Sequence, residues 1–269
     1  MNYQIIVLDL DGTLTNSRKE ITAPTEKALM EIQQNGKRVV LASGRPINGI
    51  VNLADQLDLH KYNGYILSFN GGRITNCTTG EIIYNRAVPA ETIPTVYDII
   101  HEYPGLDILS YSDDEIISGI QINEYTELES RINHMNIRCV DNFKEYVNFP
   151  VNKLLVTGDP AIIKLAMAAL KKRFHSYLNI YNSSDFFIEV MPSKIDKAYS
   201  LQKLLSSIGL TADEMICCGD GYNDVTMLEY AGLGVAMENA NSDIKESADF
   251  VTKSNDDDGI LHVINQFMR

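Results

Sequence analysis

The sequence predicts an α/β protein: a doubly wound parallel sheet interrupted by a smaller inserted α+β unit. Three observations predict it. Short apolar runs rich in β-branched residues alternate with helix-period stretches over the first third of the chain, and again over the last third. Between those thirds, strand-like runs come in neighbouring pairs joined by short polar turns, as in an antiparallel sheet. Acidic and glycine-rich clusters fall where strands of the outer thirds end, the edge at which open α/β sheets bind ligands.

The elements follow in order. Gln4 to Leu8 is a buried strand, and Pro24 opens a helical pattern through Ala28, Leu29 and Ile32 that Asn35-Gly36 ends. Arg38 to Ala42 is a second strand with its turn at Ser43-Gly44-Arg45-Pro46, followed by a helix from Ile47 to Leu57. Tyr65 to Phe69 is a third strand, stopped by Asn70-Gly71-Gly72. This βαβαβ order implies a parallel, Rossmann-like sheet covered by helices on both faces. A hairpin follows, Arg73 to Thr75 with Glu81 to Tyr84.

The pattern then changes. Helices are expected at Ala90 to Glu102, Asn123 to His134 and Pro160 to Phe174. Strands are expected at Leu106 to Tyr111, Glu115 to Ile120, Lys153 to Val156, Leu178 to Asn182 and Phe186 to Val190, with turns at Ser112-Asp113-Asp114 and Ser183-Ser184-Asp185. Residues 85–189 thus form the inserted unit, and 1–84 with 190–269 the sheet that encloses it. The closing third carries a helix at Lys197 to Ile208 ended by Gly209, the strand Met215 to Cys218, a helix at Asn223 to Tyr230 and the strand Leu233 to Met237. A short helix at Ser242 to Glu246, the strand Phe250-Val251 and a helix at Gly259 to Met268 complete it. Asp256-Asp257-Asp258 reads as a charge cluster at that last helix N-terminus.

Composition narrows the function. The 269 residues are 45% hydrophobic and 22% charged, an ordinary globular balance. The net charge of -13 opposes nucleic acid and anionic membrane surfaces as partners, and no apolar run reaches the roughly 18 residues of a membrane span. Cys77, Cys139, Cys217 and Cys218 form no C-x-x-C pair and read as free thiols, so a soluble cytoplasmic protein is expected. Nothing in the sequence sets an oligomeric state.

Two acidic motifs carry the chemistry. In Asp9-Leu10-Asp11-Gly12-Thr13, two carboxylates two residues apart follow a buried strand. Like charges brought together there need a proton or a cation. A calcium loop is excluded, because Leu14 occupies the position where that loop needs glycine. In Gly219-Asp220-Gly221-Tyr222-Asn223-Asp224, carboxylates at a strand end suit a hard cation such as Mg²⁺, while helix capping by Asn223 or Asp224 is the plainer alternative. Ser43 and Gly44 offer a hydroxyl and an N–H to a phosphate oxygen, or form an ordinary turn before Pro46. Lys197 opens a helix, where the dipole disfavours a cation unless an anion lies beside it.

Together these pieces resemble the haloacid-dehalogenase-like phosphohydrolases, and their Cof-like branch in particular. D-x-D-G-T, a Ser, a Lys and G-D-x-x-N-D occur in that family's order, with an α/β cap inserted between the second and third. One departure is Ala198, where relatives often carry Gly after the Lys. The resemblance implies a phosphatase acting on a small phosphorylated metabolite, with Asp9 as nucleophile and Asp11 as acid and base. It implies Mg²⁺ held by the Asp9 carboxylate, the Asp11 main-chain carbonyl and Asp220, with Asp224 orienting ligands. Phosphate oxygens would meet Ser43, Lys197, Asn223 and the N–H groups of Leu10 and Gly44. Carboxylate crowding is expected to protonate Asp11 at first. Arg45, Asn70 and Gly71 are candidate substrate or cap contacts, with Lys153 and Glu189 on the cap side. A phosphomutase of the same superfamily and a metabolite-binding protein without turnover are the alternatives.

Overall fold

The computed structural model describes residues 3–112 and 114–269. Asp113, in the expected turn at 112–114, lies outside them. The chain forms two compact units: one runs to Tyr84 and resumes at Asp196, the other is Asn85–Ile195.

In the first unit, β1 (Ile5–Leu8), α1 (Ala23–Gln34), β2 (Arg38–Ala42), α2 (Asn48–Gln56) and β3 (Tyr65–Ser68) are followed by β4 (Arg73–Asn76) and β5 (Ile82–Asn85). Thr22 caps α1 by accepting from the Thr25 N–H, and Pro24 sits in the first turn, where its missing N–H has no helical partner to lose.

The inserted unit holds α3 (Ile93–His101), β6 (Asp107–Tyr111), β7 (Glu115–Ser118), α4 (Glu124–Asn133), β8 (Asn136–Cys139), α5 (Phe143–Tyr146), β9 (Leu154–Thr157), α6 (Pro160–Phe174), β10 (Leu178–Ser184) and β11 (Phe187–Pro192). Its six strands run in the order β10-β11-β9-β6-β7-β8, antiparallel except for the parallel pair β7 and β8. The expected junction at 189/190 cuts through β11. That strand stays paired with β10 as far as Pro192, and its residues are buried throughout, so the unit continues to Ile195. β8 and α5 were not anticipated.

The chain returns with α7 (Lys197–Ile208), β12 (Met215–Gly219), α8 (Val225–Tyr230), β13 (Leu233–Ala236), α9 (Ser242–Glu246), β14 (Phe250–Val251) and α10 (Gly259–Phe267). The sheet order is β14-β13-β12-β1-β2-β3-β4-β5, with β14 through β3 parallel. Connections leave β1 in opposite directions, toward β2 and β3 on one side and β12 to β14 on the other. β1 is therefore the switch point, and its carboxyl end is where a ligand is expected.

Side-chain alternation makes two cores from one sheet. Ile6, Leu8, Val39, Leu41, Ile216 and Cys218 pack with α1, α2 and α10, whereas Ile5, Val7, Val40, Ala42, Met215 and Cys217 pack with α7, α8 and α9. Each fully buried Val, Leu or Ile contributes about 1.5–3 kcal/mol. The adjacent Cys217 and Cys218 thus enter opposite cores, and burial pushes both thiols upward, away from the reactive thiolate. The Asp256–Asp258 run ties segments together rather than only charging a helix end: Asp258 accepts from the Thr22 and Thr25 hydroxyls, and Asp256 from Ser17. No helix among the described residues is long and apolar enough to cross a membrane.

Candidate active site

β1 delivers Asp9 at the carboxyl edge, and the chain turns there at once. Thr15 N–H donates to the Leu10 carbonyl at 3.0 Å, as does the Thr15 hydroxyl at 2.9 Å, and Leu14 N–H donates to the Asp9 carbonyl at 3.1 Å. Gly12 has φ +83°, and a Cβ there would overlap the Asp220 carboxylate. Glycine is demanded twice, by backbone conformation and by closeness to the second acidic motif.

Lys197 organises the centre. Fully buried at the first position of α7, its Nζ donates to Asp9 Oδ1 at 2.5 Å, Asp224 Oδ1 at 2.6 Å and the Ala42 carbonyl at 3.0 Å. The anions that offset its place at a helix N-terminus are the protein's own carboxylates. Burial opposes the lysine's charge, yet Asp224 and Asp9 outweigh it and hold the ammonium above its usual range. Burial and then the facing Asp224 push Asp9 up to about 8 against the pull of Lys197.

Asp220 accepts from the Thr13 hydroxyl at 2.9 Å, and burial first of all pushes it up to about 6. Asp224 is wholly buried, and its Oδ2 accepts from the N–H groups of Asp220 at 3.1 Å and Gly221 at 2.9 Å. The helix expected from Asn223 therefore begins only at Val225, because this carboxylate folds residues 219–224 into a closed turn first.

Carboxylate oxygens of Asp9, Asp220 and Asp224 lie within 4.8 Å of one another. Fully ionised, three carboxylates beside one ammonium would leave two excess negative charges in a largely buried place, which a proton or a cation must offset. All the donors are hard oxygens, so the set fits a divalent oxygen-seeking cation.

The Asp11 carboxylate is not part of this set; the expected ligand there is its main-chain carbonyl. Arg45 holds it in a fork, Nε to Oδ2 at 2.9 Å and Nη2 to Oδ1 at 2.6 Å, and Lys19 Nζ adds 2.8 Å to Oδ1. Burial works against its charge, but Arg45 and then Lys19 prevail and hold it below the usual carboxylate range. The expectation that crowding would protonate Asp11 is thus corrected. The side chain points to two cations instead of its acidic neighbours.

A third group lines the neighbouring strand ends. Ser43 is buried, its Oγ accepts from Arg45 N–H at 3.2 Å, and its carbonyl accepts from Asn70 N–H at 2.9 Å. A Cβ on Gly44 would come within 3.0 Å of the Asn70 amide, and Asn223 Nδ2 donates to Asn70 Oδ1 at 3.1 Å. Gly71 packs instead against the start of α7, where its carbonyl accepts from the Ser200 hydroxyl at 2.6 Å. The Leu10 side chain is fully buried in the core. In the inserted unit, Lys153 and Glu189 form a buried ion pair of 3.3 Å, and the Tyr181 hydroxyl donates to Glu189 at 2.7 Å.

Sequence reasoning missed two residues, Lys19 and Asn239, and assigned no role to Thr13 within its motif. Asn239 follows β13 and donates to the Gly12 carbonyl at 2.8 Å and to Asp220 at 3.4 Å. Its place just beyond a parallel strand was the available signal. Lys19 gave none, since a lysine in a polar turn is commonplace.

Comparison with known proteins gives the family. The chain shares 42% identity with a haloacid dehalogenase-like hydrolase from Bacteroides thetaiotaomicron of known crystal structure, over 98% of this chain and 99% of that one, with a TM-score of 0.94. The structure of a HAD subclass IIB sugar phosphatase matches at 26% identity and TM-score 0.81, covering 97% of this chain and 98% of that one. A Bacillus subtilis 5-amino-6-(5-phospho-D-ribitylamino)uracil phosphatase is 28% identical over 100% of this chain and 97% of its own length. Residues 6–264 match the haloacid dehalogenase-like hydrolase family. The chain belongs to that family, as one of its phosphatases.

Proposed function

We propose that the protein is a Mg²⁺-dependent phosphatase of small phosphorylated metabolites, sugar phosphates or similar esters, working through an aspartyl phosphate on Asp9. The observation that carries this reading is the buried Lys197 ammonium bridging Asp9 and Asp224, with Asp220 close by, at the carboxyl edge of the switch-point strand.

Asp9 and Asp220, with the Asp11 main-chain carbonyl, would hold the ion, and Asp224 fixes the turn and the lysine beside it. Bound there, Mg²⁺ supplies the positive charge that offsets carboxylates and phosphate together. The need is quantitative: at an effective dielectric near 20, each pair of like charges about 4 Å apart repels by roughly 4 kcal/mol.

In the first step Asp11, having taken up a proton from solvent against the pull of Arg45 and Lys19, gives it to the departing oxygen as an Asp9 oxygen attacks phosphorus and the ester P–O bond breaks. In the second step Asp11, now ionised, takes a proton from water. The water oxygen attacks phosphorus, the bond to Asp9 breaks and inorganic phosphate leaves. The ionised Asp11 that Arg45 and Lys19 hold is the form this second step requires. Lys197, Ser43, Asn223 and the N–H groups of Leu10 and Gly44 are assigned to phosphate oxygens, and Arg45 and Asn70 to the rim of the site. Selection of the leaving group is assigned to the inserted unit. A sugar phosphatase and a phosphoribityl-uracil phosphatase among similar proteins support a polyhydroxylated leaving group.

Phosphate release from a panel of phosphorylated metabolites tests the reading. Turnover is expected with Mg²⁺, and loss of at least about a thousandfold with chelator or in Asp9→Asn. Undiminished release by Asp9→Asn would falsify it.

A further inference from the structure

Given the phosphatase reading above, we propose that Lys19 is a positioning residue which, with Arg45, sets the direction faced by the Asp11 carboxylate. Arg45 approaches from the turn after β2 and fixes the plane of the carboxylate through its fork, at 2.9 and 2.6 Å. Lys19 approaches from the loop after β1 and shares Oδ1 with Arg45, at 2.8 Å. The carboxylate is pinned from two segments of the chain.

The loop is built to place that ammonium. Lys19 has φ 63°, in the left-handed region that residues other than glycine seldom adopt. Such a conformation persists where its surroundings over-determine it. Here Asn16 closes the loop from within. Its N–H donates to the Glu20 carbonyl at 3.0 Å and its carbonyl accepts from Lys19 N–H at 2.8 Å. Its side-chain oxygen accepts from the N–H groups of Arg18 at 2.9 Å and Glu20 at 3.1 Å.

A second set of bonds holds the loop from outside. Asp256 accepts from Ser17 N–H at 2.8 Å and from its hydroxyl at 2.6 Å, and Asn255 Nδ2 donates to the Thr15 carbonyl at 2.9 Å. This gives the aspartate run near the C-terminus a purpose beyond charging a helix end. None of these bonds uses the Lys19 side chain, which is 63% exposed and buries little. An unfavourable backbone conformation thus falls on a residue whose side chain is mostly exposed, and its ammonium rests on the group assigned to proton transfer.

Leaving-group chemistry provides the test. Asp11 must protonate an alkoxide on departure, whereas dinitrophenolate departs without a proton. Values of kcat/KM are measured for an alkyl phosphate that wild type hydrolyses and for 2,4-dinitrophenyl phosphate. Lys19→Met and Lys19→Gly are compared with Lys19→Arg, and Lys19→Met is repeated in an Asp11→Asn background. Glycine suits the left-handed backbone, so Lys19→Gly deletes the ammonium while relieving the conformation.

The expected result is about a tenfold loss on the alkyl ester for Met and Gly, a part of the 10²–10⁴ that a placed proton donor supplies. On the dinitrophenyl ester the loss is under about twofold. Arginine restores alkyl hydrolysis to within about threefold, and Lys19→Met costs nothing further once Asp11 is Asn. Equal losses on both esters with a raised KM would show a substrate-binding lysine and overturn the proposal. Unchanged kinetics, or a full additional loss in the Asp11→Asn background, would overturn it too. Failure of wild type to release phosphate from any alkyl phosphate of the panel and from the dinitrophenyl ester would instead defeat the phosphatase reading on which it stands.

Discussion

The acidic centre should show itself in the pH dependence of stability even without substrate. Asp9 and Asp220 are pushed from 3.8 to about 8 and about 6, by burial above all. Between the ordinary carboxylate value and these values, the folded protein binds protons that the unfolded chain has released. Stability therefore falls as pH rises through that window. In chelator, Tm is expected to decline between pH 5 and pH 8, more shallowly in Asp9→Asn and in saturating Mg²⁺. An Asp9→Asn slope equal to wild type would remove Asp9 as the cause. The same residues show what the sequence could disclose. Asp9, Asp220, Asp224 and Lys197 stood out in the sequence because each lies where a strand ends or a helix begins, the edge at which such sheets bind ligands. The state of Asp11 was not. Its nearest charged neighbour in sequence is the acidic Asp9, while the cations that govern it arrive from 34 residues downstream and from an unremarkable loop eight residues away.

At the scale of elements, periodicity recovered the strands and helices that bury a full face. The expected spans of β2, α6, α7 and α9 match those observed. It missed β8 and α5, for a physical reason: β8 exposes most of its four residues, and α5 is little more than one turn, so neither carries a repeating apolar signal. β8 exists because β7 pairs with it. In the inserted unit, Lys153 and Glu189 are buried with side chains only 4% and 7% exposed. Removing one charge from such a pair leaves the other buried without its counter-charge, at a cost of about 3–5 kcal/mol. Lys153→Met should lower the urea midpoint by a corresponding amount, and adding Glu189→Leu should recover much of the loss. If the double variant is no more stable than Lys153→Met, the pair is not the source of the cost.

For the whole molecule, the insertion was legible because the order of elements changes near residue 85. Its far boundary was not, because β11 stays buried through Pro192, beyond the Val190 at which the sequence predicts the strand to end. Net charge acts at this largest scale. A protein of charge -13 repels a phosphate ester at long range, while Lys197, Arg45 and a bound divalent ion would attract it within a few ångströms. The two fields differ in how salt reaches them. Raising ionic strength from about 0.01 to 0.1 M shortens the screening length from roughly 30 to 10 Å, which erases the long-range repulsion and leaves buried contacts nearly intact. With Mg²⁺ held saturating, kcat/KM for a phosphate monoester should therefore rise severalfold with added NaCl while kcat stays level. A fall in kcat/KM over the same range would mean that the cations at the rim govern the approach of substrate, and that the acidic surface lies too far from the site to oppose it.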